Sequence, residues 1–418
     1  MNAPLPIQVT GSATAYEQVS AVSNEVAGQL AQRLTRETKG EVLFTPADRG
    51  RYATDASIYQ VMPVGVLVPR TVEDVRIAID ICRDLKVPIQ CGQTVGTGLV
   101  IDFSKHLRRV LKVDADARTA TVEPGLVLDH LNAQLKAQGL WYPVDVSTAA
   151  QATLGGMAGN NSCGSRSIAY GNMVHNVRGA SAWTSDGILH DFGRFDQATG
   201  AVRQLGDRVR ELACRLVPEI EQRWPKVLRR VAGYNLDVFH PQSERPYTAD
   251  GAVNLSHLLV GSEGTLAVTR SLTLQLAELP RARVLGVVNF NSFHQAMDSA
   301  QHIVKLGDDG TLTAVELVDR TMIELSLRNP AFAPTVRQAL IGEPEALLLV
   351  EFAGADRTAL LRKLDDLVAL MGDLGLPGSV VRMPDEGPQK ALWEVRKAGL
   401  NIMMSLRGDG KPVSFIED

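Results

Sequence analysis

The sequence has few cysteines, few aromatic residues and little net charge. Its 418 residues include four cysteines, 5% aromatic side chains and a formal charge of -4. Nucleic-acid binding needs a concentrated basic face, so this charge gives no reason to expect such a partner. No Cys-x-x-Cys pair indicates a disulfide framework or a zinc or iron–sulfur site within the chain, where the cysteines are Cys82, Cys91, Cys163 and Cys214.

Membrane and catalytic signatures are also missing. No apolar run reaches the ~18 residues of a membrane-spanning helix, and the N-terminus lacks the basic start and apolar core of a secretory signal. A cytoplasmic location is therefore expected, with contact to the inner face of a membrane left open. The absence of G-x-G-x-x-G, G-x-x-x-x-G-K-[ST] and G-x-S-x-G argues against a nicotinamide Rossmann site, a P-loop and an α/β-hydrolase. No H-x-x-x-H spacing predicts a metal site.

The pattern of elements predicts an N-terminal lead and helix over 1–40, followed by two domains over 41–279 and 280–418. The first domain begins with a strand–helix–strand unit, in which Thr71 is placed to cap the helix with Asp74 three positions later. Two hairpins follow it. In the second domain, strands and helices alternate, which predicts an α+β fold with an antiparallel, ferredoxin-like sheet and helices on one face.

Three stretches of small and polar residues are candidates for contact with a ligand. The whole segment 141–172 shows little helical or strand period, which is unusual in a compact domain unless the segment wraps a ligand. Within it, the glycines of 152–164 allow a bulky ligand to approach the backbone, and paired glycines can direct amides at phosphate oxygens. The other two stretches are a glycine-flanked acid after an apolar strand at 260–266, and a proline beside a short acid at 142–147. For each stretch an ordinary surface loop or turn is the alternative.

Taken in order, these stretches resemble the FAD-linked oxidases and dehydrogenases of the vanillyl-alcohol-oxidase type, which include D-lactate, glycolate and D-2-hydroxyglutarate dehydrogenases. The resemblance runs from about residue 41 to the last residue. It is carried by DASIY at 55–59, PRTVEDV at 69–75, VIDFS at 100–104, VEPG at 122–125, ATLGGMAGNNSCG at 152–164, RSIAYG at 166–171, GYNLD at 233–237 and GSEG at 261–264. The stretches QCGQTV at 90–95 and WEVRKAG at 393–399 resemble most a bacterial subgroup in which a C-terminal iron–sulfur module follows the flavin part.

The resemblance implies a flavin domain of two α+β subdomains that hold FAD between them, followed by a cap domain that binds substrate. It places segments 152–164 and 261–264 on the same nucleotide. The residues that match the family's flavin contacts are Pro143, Asp145, Ser147, Thr148, Thr153, Gly155, Gly156, Asn160, Ser162, Gly164, Glu263 and Gly264.

The resemblance also implies a substrate and a reaction. Arg396 matches the cap's clamp for a substrate carboxylate, which suits its planar, permanently charged fork, and Lys411 is a second candidate. The alternative for Arg396 is an arginine on a helix surface. The implied reaction passes the α-hydrogen of a 2-hydroxy acid to the flavin N5 as hydride while a base takes the hydroxyl proton. No residue is assigned as the base, and the electron acceptor is open, with an iron–sulfur module as one candidate.

The sequence departs from the family pattern in two places. The family has a P-R-G-G-G-T-S loop after the strand that matches 87–89, whereas here Ile89 runs directly into Gln90. At the other end, the family continues beyond Asp418 with an H-x-G-x-G-N-x-H segment, so a truncated cap domain is expected. Two hypotheses therefore remain: an FAD-dependent 2-hydroxyacid dehydrogenase, or a catalytically inactive fragment or degenerate relative that keeps the fold.

Overall fold

The computed structural model describes residues 22–55, 59–90, 95–227, 230–231, 233–239, 248 and 251–404. These residues form two compact units, one up to Asp102 and the other from Phe103 onwards. Within the described ranges, no helix is both long enough and apolar enough to cross a membrane.

The first unit contains a four-stranded mixed sheet with the strand order β1-β2-β4-β3. Strand β1 is antiparallel to β2, whereas β4 runs parallel to both of its neighbours. The predicted capping box of Thr71 and Asp74 is confirmed at the start of α3, against which α1 packs. The elements are β1 (Glu41–Leu43), β2 (Gly65–Val68), β3 (Ile89–Gln90), β4 (Leu99–Ile101), α1 (Asn24–Glu37), α2 (Pro46–Gly50) and α3 (Val72–Leu85).

The second unit begins with a five-stranded antiparallel sheet of order β5-β6-β10-β8-β9 and a two-stranded pair, β11-β7. Both predicted hairpins are confirmed, because β5 pairs with β6 and β8 with β9. The strands are β5 (Val110–Asp114), β6 (Thr119–Val122), β7 (Leu140–Trp141), β8 (Val177–Trp183), β9 (Leu189–Phe192), β10 (Val268–Gln275) and β11 (Ala277–Glu278). The helices are α4 (Leu128–Leu135), α5 (Leu154–Asn160), α6 (Ser167–Tyr170), α7 (Met173–Asn176), α8 (Gly200–Arg215) and α9 (Val217–Arg223).

Two local expectations in this part are wrong. The segment 141–172 is not wholly irregular, because it contains α5 and α6. Glycine lowers intrinsic helix propensity and hides the pattern, but Leu154 and Met157 of α5 are buried, and such packing supplies most helical stability in proteins. The acidic turn at 260–266 follows a short 3₁₀ helix, Leu255–Leu258, and not a strand.

A second antiparallel sheet, of order β13-β14-β12-β15, occupies the C-terminal part of this unit. Its strands are β12 (Ala282–Phe290), β13 (Leu312–Asp319), β14 (Ala346–Gly354) and β15 (Val380–Met383). Its helices are α10 (Phe293–Ile303), α11 (Arg320–Arg328), α12 (Ala333–Ala339), α13 (Arg357–Asp373), α14 (Glu386–Lys397) and α15 (Gly399–Met404).

Helices cover both faces of this sheet, so the expectation of helices on one face is wrong. One core packs Phe352 of β14 against α10 and α13, and the other packs Leu349 of the same strand against α11, α12 and α14. Strand β14 is buried along nearly its whole length, and a strand that is apolar on both faces needs a cover on each. The apolar sequence ALLLV at 346–350 is typical of a strand that is covered on both faces.

Candidate functional site

Helix α5 and the acidic turn lie side by side. The amide of Gly261 donates to the carbonyl of Ala158 at 2.9 Å, and the amide of Glu263 donates to the carbonyl of Gly159 at 2.9 Å. Glu263 adopts φ 49°, a left-handed conformation that costs a residue with a Cβ about 1 kcal/mol or more. The structure therefore brings together the two segments that the sequence predicts to share one nucleotide.

Side chains extend this contact and leave one acceptor atom open. Asn160 Nδ2 donates to Glu263 Oε1 at 3.1 Å, and Ser162 Oγ donates to Asn160 Oδ1 at 2.9 Å. Glu263 Oε2 is buried and has no hydrogen-bond partner in the described part of the chain. A buried, unpartnered carboxylate oxygen is costly, and an N–H or O–H donor from a ligand would satisfy it. Gly264, at φ 72°, completes this group of predicted contacts.

The glycines of α5 have different reasons to be glycine. A Cβ on Gly155 would lie 2.6 Å from Pro124, so this glycine is required by packing within the protein. On Gly159 the nearest atom would be the Cα of Glu263 at 3.8 Å, which is an ordinary contact. The side of α5 that faces the acidic turn therefore has room for a methyl group at Gly159, and the unpartnered acceptor of Glu263 fits a donor of a nucleotide cofactor.

Four other predicted contacts have roles outside this hydrogen-bonded group. Thr153 caps α5 by accepting the amide of Gly156 at 3.4 Å. The carbonyl of Thr148 accepts two backbone hydrogen bonds in the preceding turn. Ser147 is exposed on a cavity described below, and Pro143 is buried beside a different cavity of about 690 Å³.

A buried cluster of charges joins the segment after α5 to the C-terminal sheet. Arg166 donates from Nε and Nη2 to the two carboxylate oxygens of Glu351 at 2.8 and 2.7 Å, and from Nη1 to Asp145 Oδ2 at 2.6 Å. The Glu351 side chain is 1% exposed, and Thr313 Oγ1 also donates to it at 2.7 Å. Burial raises the pKa of Glu351, but the hydrogen bonds and charge of Arg166 outweigh it, so the pKa is lowered from its ordinary value.

Two of the predicted flavin contacts belong to this cluster. The carboxylate of Asp145 accepts from the Ser165 hydroxyl at 2.6 Å and from the Arg166 amide at 3.0 Å, in addition to the guanidinium. A Cβ on Gly164 would lie 2.4 Å from Asp145 Oδ1, so only glycine fits there. In this structure both residues serve the ion cluster, and their direct contact with a cofactor stays a prediction.

Arg396 lies on a cavity of about 530 Å³ beside the same cluster. Its Nη2 donates to Glu316 at 2.8 Å, and its buried Nε has no hydrogen-bond partner within the described ranges. The cavity is also lined by Ser147, Gly164, Arg166, Arg283 and Trp393. Arg396 is therefore a cavity residue whose guanidinium is held by Glu316 and keeps an unpartnered Nε. Lys411, the second predicted clamp residue, lies outside the described residues.

The sequence alone predicted no role for three residues of this site, Arg166, Glu351 and Trp393. Trp393 lies on α14, and its ring stacks on the Arg166 guanidinium with 5.1 Å from Cζ to the ring centroid. One signal pointed to Glu351, because it is the one charged residue in the apolar run of β14, and a charge at such a position is rarely buried without a partner. The identity of that partner, 185 positions away, is not a local property.

Two histidines, the half-buried His175 and the buried His257, are held neutral. His175 Nδ1 accepts the amide of Asn172 at 2.9 Å, and burial lowers its pKa to about 4. His257 is 2% exposed, and burial lowers its pKa to about 3. No group of three or more His, Cys, Asp or Glu residues is placed to hold a metal ion in the part of the chain that the structure describes.

These histidines predict a loss of stability in mild acid. Because the pKa values are lower in the folded state than the unfolded value near 6.5, their stabilising effect is complete above about pH 6.5 and falls as the pH drops towards 4. Between pH 7.5 and pH 5, His257 alone contributes a loss of about 2 kcal/mol in the free energy of unfolding. Urea unfolding at both pH values should show a flatter dependence for His257→Asn, whereas the exposed His130→Gln should behave like the wild type. Equal dependence in all three proteins would contradict this account.

Two family models match the chain in the order that the sequence predicts. A model described as FAD binding domain matches residues 63–193, and one described as FAD linked oxidases, C-terminal domain, matches residues 279–418. These domains indicate FAD as the cofactor. The predicted domain boundaries at 40/41 and 279/280 stay predictions.

Similar proteins include dehydrogenases of hydroxy acids. The D-2-hydroxyglutarate dehydrogenase of Pantoea ananatis is 29% identical over 412 residues, which cover 91% of this chain and 39% of that protein. The probable mitochondrial D-lactate dehydrogenase of Danio rerio is 28% identical over 385 residues, covering 88% and 64% of the two chains. This chain therefore spans about two fifths of the D-2-hydroxyglutarate dehydrogenases it matches.

A solved structure confirms the α+β fold class. The substrate-bound structure of p-cresol methylhydroxylase superposes with a TM-score of 0.63 at 13% identity, covering 91% of this chain and 72% of that one. At this identity the similarity shows the fold alone, which is the vanillyl-alcohol-oxidase type that the resemblance implied.

Proposed function

We propose that this chain binds FAD beside α5 and the acidic turn and oxidises a 2-hydroxy acid, since it matches models of an FAD binding domain and of the C-terminal domain of FAD-linked oxidases. The observation that carries the proposal is the contact of 158–160 with 261–263, in which the buried Glu263 Oε2 has no hydrogen-bond partner among the described residues. When bound, FAD supplies the redox chemistry by accepting a hydride.

In this proposal the protein holds and orients the two reactants. Glu263 accepts a hydrogen bond from the cofactor, while Asn160 and Ser162 fix the direction of its carboxylate. Arg396 binds the substrate carboxylate in the 530 Å³ cavity, and Glu316 keeps its fork turned into that space. Lys411 is proposed as a second contact to the carboxylate.

The substrate class follows from Arg396 together with the names of the relatives. D-2-hydroxyglutarate and D-lactate share a carboxylate beside a hydroxyl-bearing carbon, and a single arginine fork recognises that carboxylate. We propose an iron–sulfur module as the electron acceptor and a cytoplasmic location, with or without contact to the inner face of a membrane. The test is a visible flavin spectrum in the purified chain and its bleaching on addition of D-lactate or D-2-hydroxyglutarate. A colourless chain that FAD does not reconstitute would instead support the inactive relative.

Glu263→Gly should change stability and cofactor binding in opposite directions. Without the cofactor the variant should be more stable by up to about 1 kcal/mol, because relief of the left-handed conformation and removal of the unpartnered oxygen outweigh the lost hydrogen bond from Asn160. Its FAD dissociation constant should rise about tenfold or more with the loss of a charged acceptor. Urea unfolding and titration of the flavin absorbance measure the two effects.

Lys86→Gly is the matched control for this pair of measurements. Lys86 is an exposed residue with φ 55° at the end of α3, so glycine relieves the same backbone conformation there. It should gain stability and keep the FAD affinity of the wild type. A Glu263→Gly variant that binds FAD as tightly as the wild type would rule out the proposed role of the carboxylate.

A further inference from the structure

Arg166 occupies the junction of three parts of the second unit. Its guanidinium binds Asp145 in the loop after β7, binds Glu351 on β14 through two parallel hydrogen bonds, and lies over the ring of Trp393 on α14. Its side chain is only 14% exposed. Asp145 belongs to the predicted cofactor segment, and α14 carries Arg396.

Only an arginine satisfies this junction. The two carboxylates share hydrogen bonds from one guanidinium, because a planar fork with five donors can meet both of them while its flat face stacks on an indole. A lysine keeps the charge but, as a point charge, cannot form the paired hydrogen bonds to Glu351 at 2.8 and 2.7 Å together with the one to Asp145. The geometry thus fixes the cofactor segment against the sheet and the helix.

We propose that Arg166 is a positioning residue for the hydride transfer, which sets the distance between the bound flavin and the substrate held by Arg396. Arg396 follows Trp393 by three positions, about one helical turn, so a shift of Trp393 also moves the clamp. A displacement of about 1 Å between reacting groups lowers a rate by about 100-fold. The inference rests on the proposed function for its chemistry, but the mechanical link is a property of this chain alone.

The test compares two variants that break the junction with one that does not. Arg166→Lys removes the fork, and Glu351→Gln presents one donor and one acceptor where two acceptors are needed. Leu349→Ala is the matched control, because Leu349 is buried on the same face of β14, two residues from Glu351. This substitution should lower the unfolding temperature while leaving the hydrogen bonds of Arg166 in place. Each protein is assayed for FAD affinity, unfolding temperature, and the limiting rate and half-saturating concentration of flavin bleaching by D-2-hydroxyglutarate and D-lactate.

Both junction variants should keep FAD affinity within about threefold of the wild type and lose about 10- to 100-fold in limiting bleaching rate. Leu349→Ala should keep the wild-type limiting rate. The inference is overturned if Arg166→Lys and Glu351→Gln reduce the flavin as fast as the wild type, or if Leu349→Ala is slowed as much as they are.

A second readout does not need turnover. If Arg166 links the two sites, FAD should slow amide hydrogen exchange in α14 of the wild type and of Leu349→Ala, and not in the two junction variants. If the wild type binds FAD but neither acid bleaches it, the proposed oxidation is wrong. The exchange measurement still tests whether Arg166 links the cofactor segment to α14. If FAD leaves exchange in α14 of the wild type unchanged, the proposed link is wrong.

Discussion

Replacing Arg166 by methionine is expected to lower the free energy of unfolding by about 3–5 kcal/mol. The reason is that Glu351, which is 1% exposed, and the half-buried Asp145 would both lose the guanidinium and remain as mutually repelling carboxylates. Guanidinium unfolding at pH 7 measures the effect. This loss exceeds that of most single substitutions, because breaking a buried pair leaves an uncompensated charge in a poorly solvated place.

Two comparisons test the physical reason. Arg223→Met removes an exposed ion pair with Glu219 on α9, and it should cost no more than about 0.5 kcal/mol. Adding Glu351→Leu to Arg166→Met should restore part of the lost stability, since it replaces the orphaned charge by an apolar side chain. A loss below about 1 kcal/mol in the single variant, or no recovery in the double variant, would show that the cluster is not a buried, mutually dependent set.

Replacing Arg396 by methionine is expected to reduce kcat/KM for the oxidation of a 2-hydroxy acid by about 10- to 100-fold, with FAD affinity unchanged. A hydrogen bond to a charged group contributes about 1.5–3 kcal/mol, and each 1.4 kcal/mol is a factor of ten. The kcat/KM of Arg396→Lys should lie between the values of Arg396→Met and the wild type, because lysine keeps the charge but lacks the planar guanidinium fork. Steady-state kinetics with a flavin-reducible dye as acceptor provide the measurement.

Lys397→Met is the control for this prediction. Lys397 is the neighbouring cation on α14 and lines the same cavity, but it is 45% exposed and paired with Glu394, so its loss changes the local charge equally without removing the guanidinium. It should alter kcat/KM by no more than about threefold. If Arg396→Met oxidises the hydroxy acid as well as Lys397→Met does, the substrate carboxylate is bound elsewhere.

Local sequence signals predicted individual elements well. The two predicted hairpins are formed by β5 with β6 and by β8 with β9, and Thr71 with Asp74 marks the start of α3. Such signals depend on neighbours a few positions apart, namely alternation of apolar residues and the satisfaction of free amides at a helix end. How helices are distributed over the two faces of the C-terminal sheet depends on packing between distant segments, and that prediction was wrong.

For the candidate site, too, the sequence predicted some contacts and missed others. The resemblance to the FAD-linked oxidases was enough to pair 152–164 with 261–264, although Asn160 and Glu263 are 103 positions apart. It was not enough to show that the Asp145 carboxylate is turned to Arg166 rather than left open to a ligand. Hydrogen bonding of buried groups is settled by the whole fold, because every buried charge must find a partner wherever the chain supplies one.

Amide hydrogen exchange with and without FAD tests the central claim most directly. If α5 and the acidic turn hold the cofactor together, FAD should slow amide exchange in both 152–164 and 261–264. Exchange in α13, which packs on the C-terminal sheet, should stay unchanged. Protection of only one of the two segments, or of neither, would contradict a shared cofactor site.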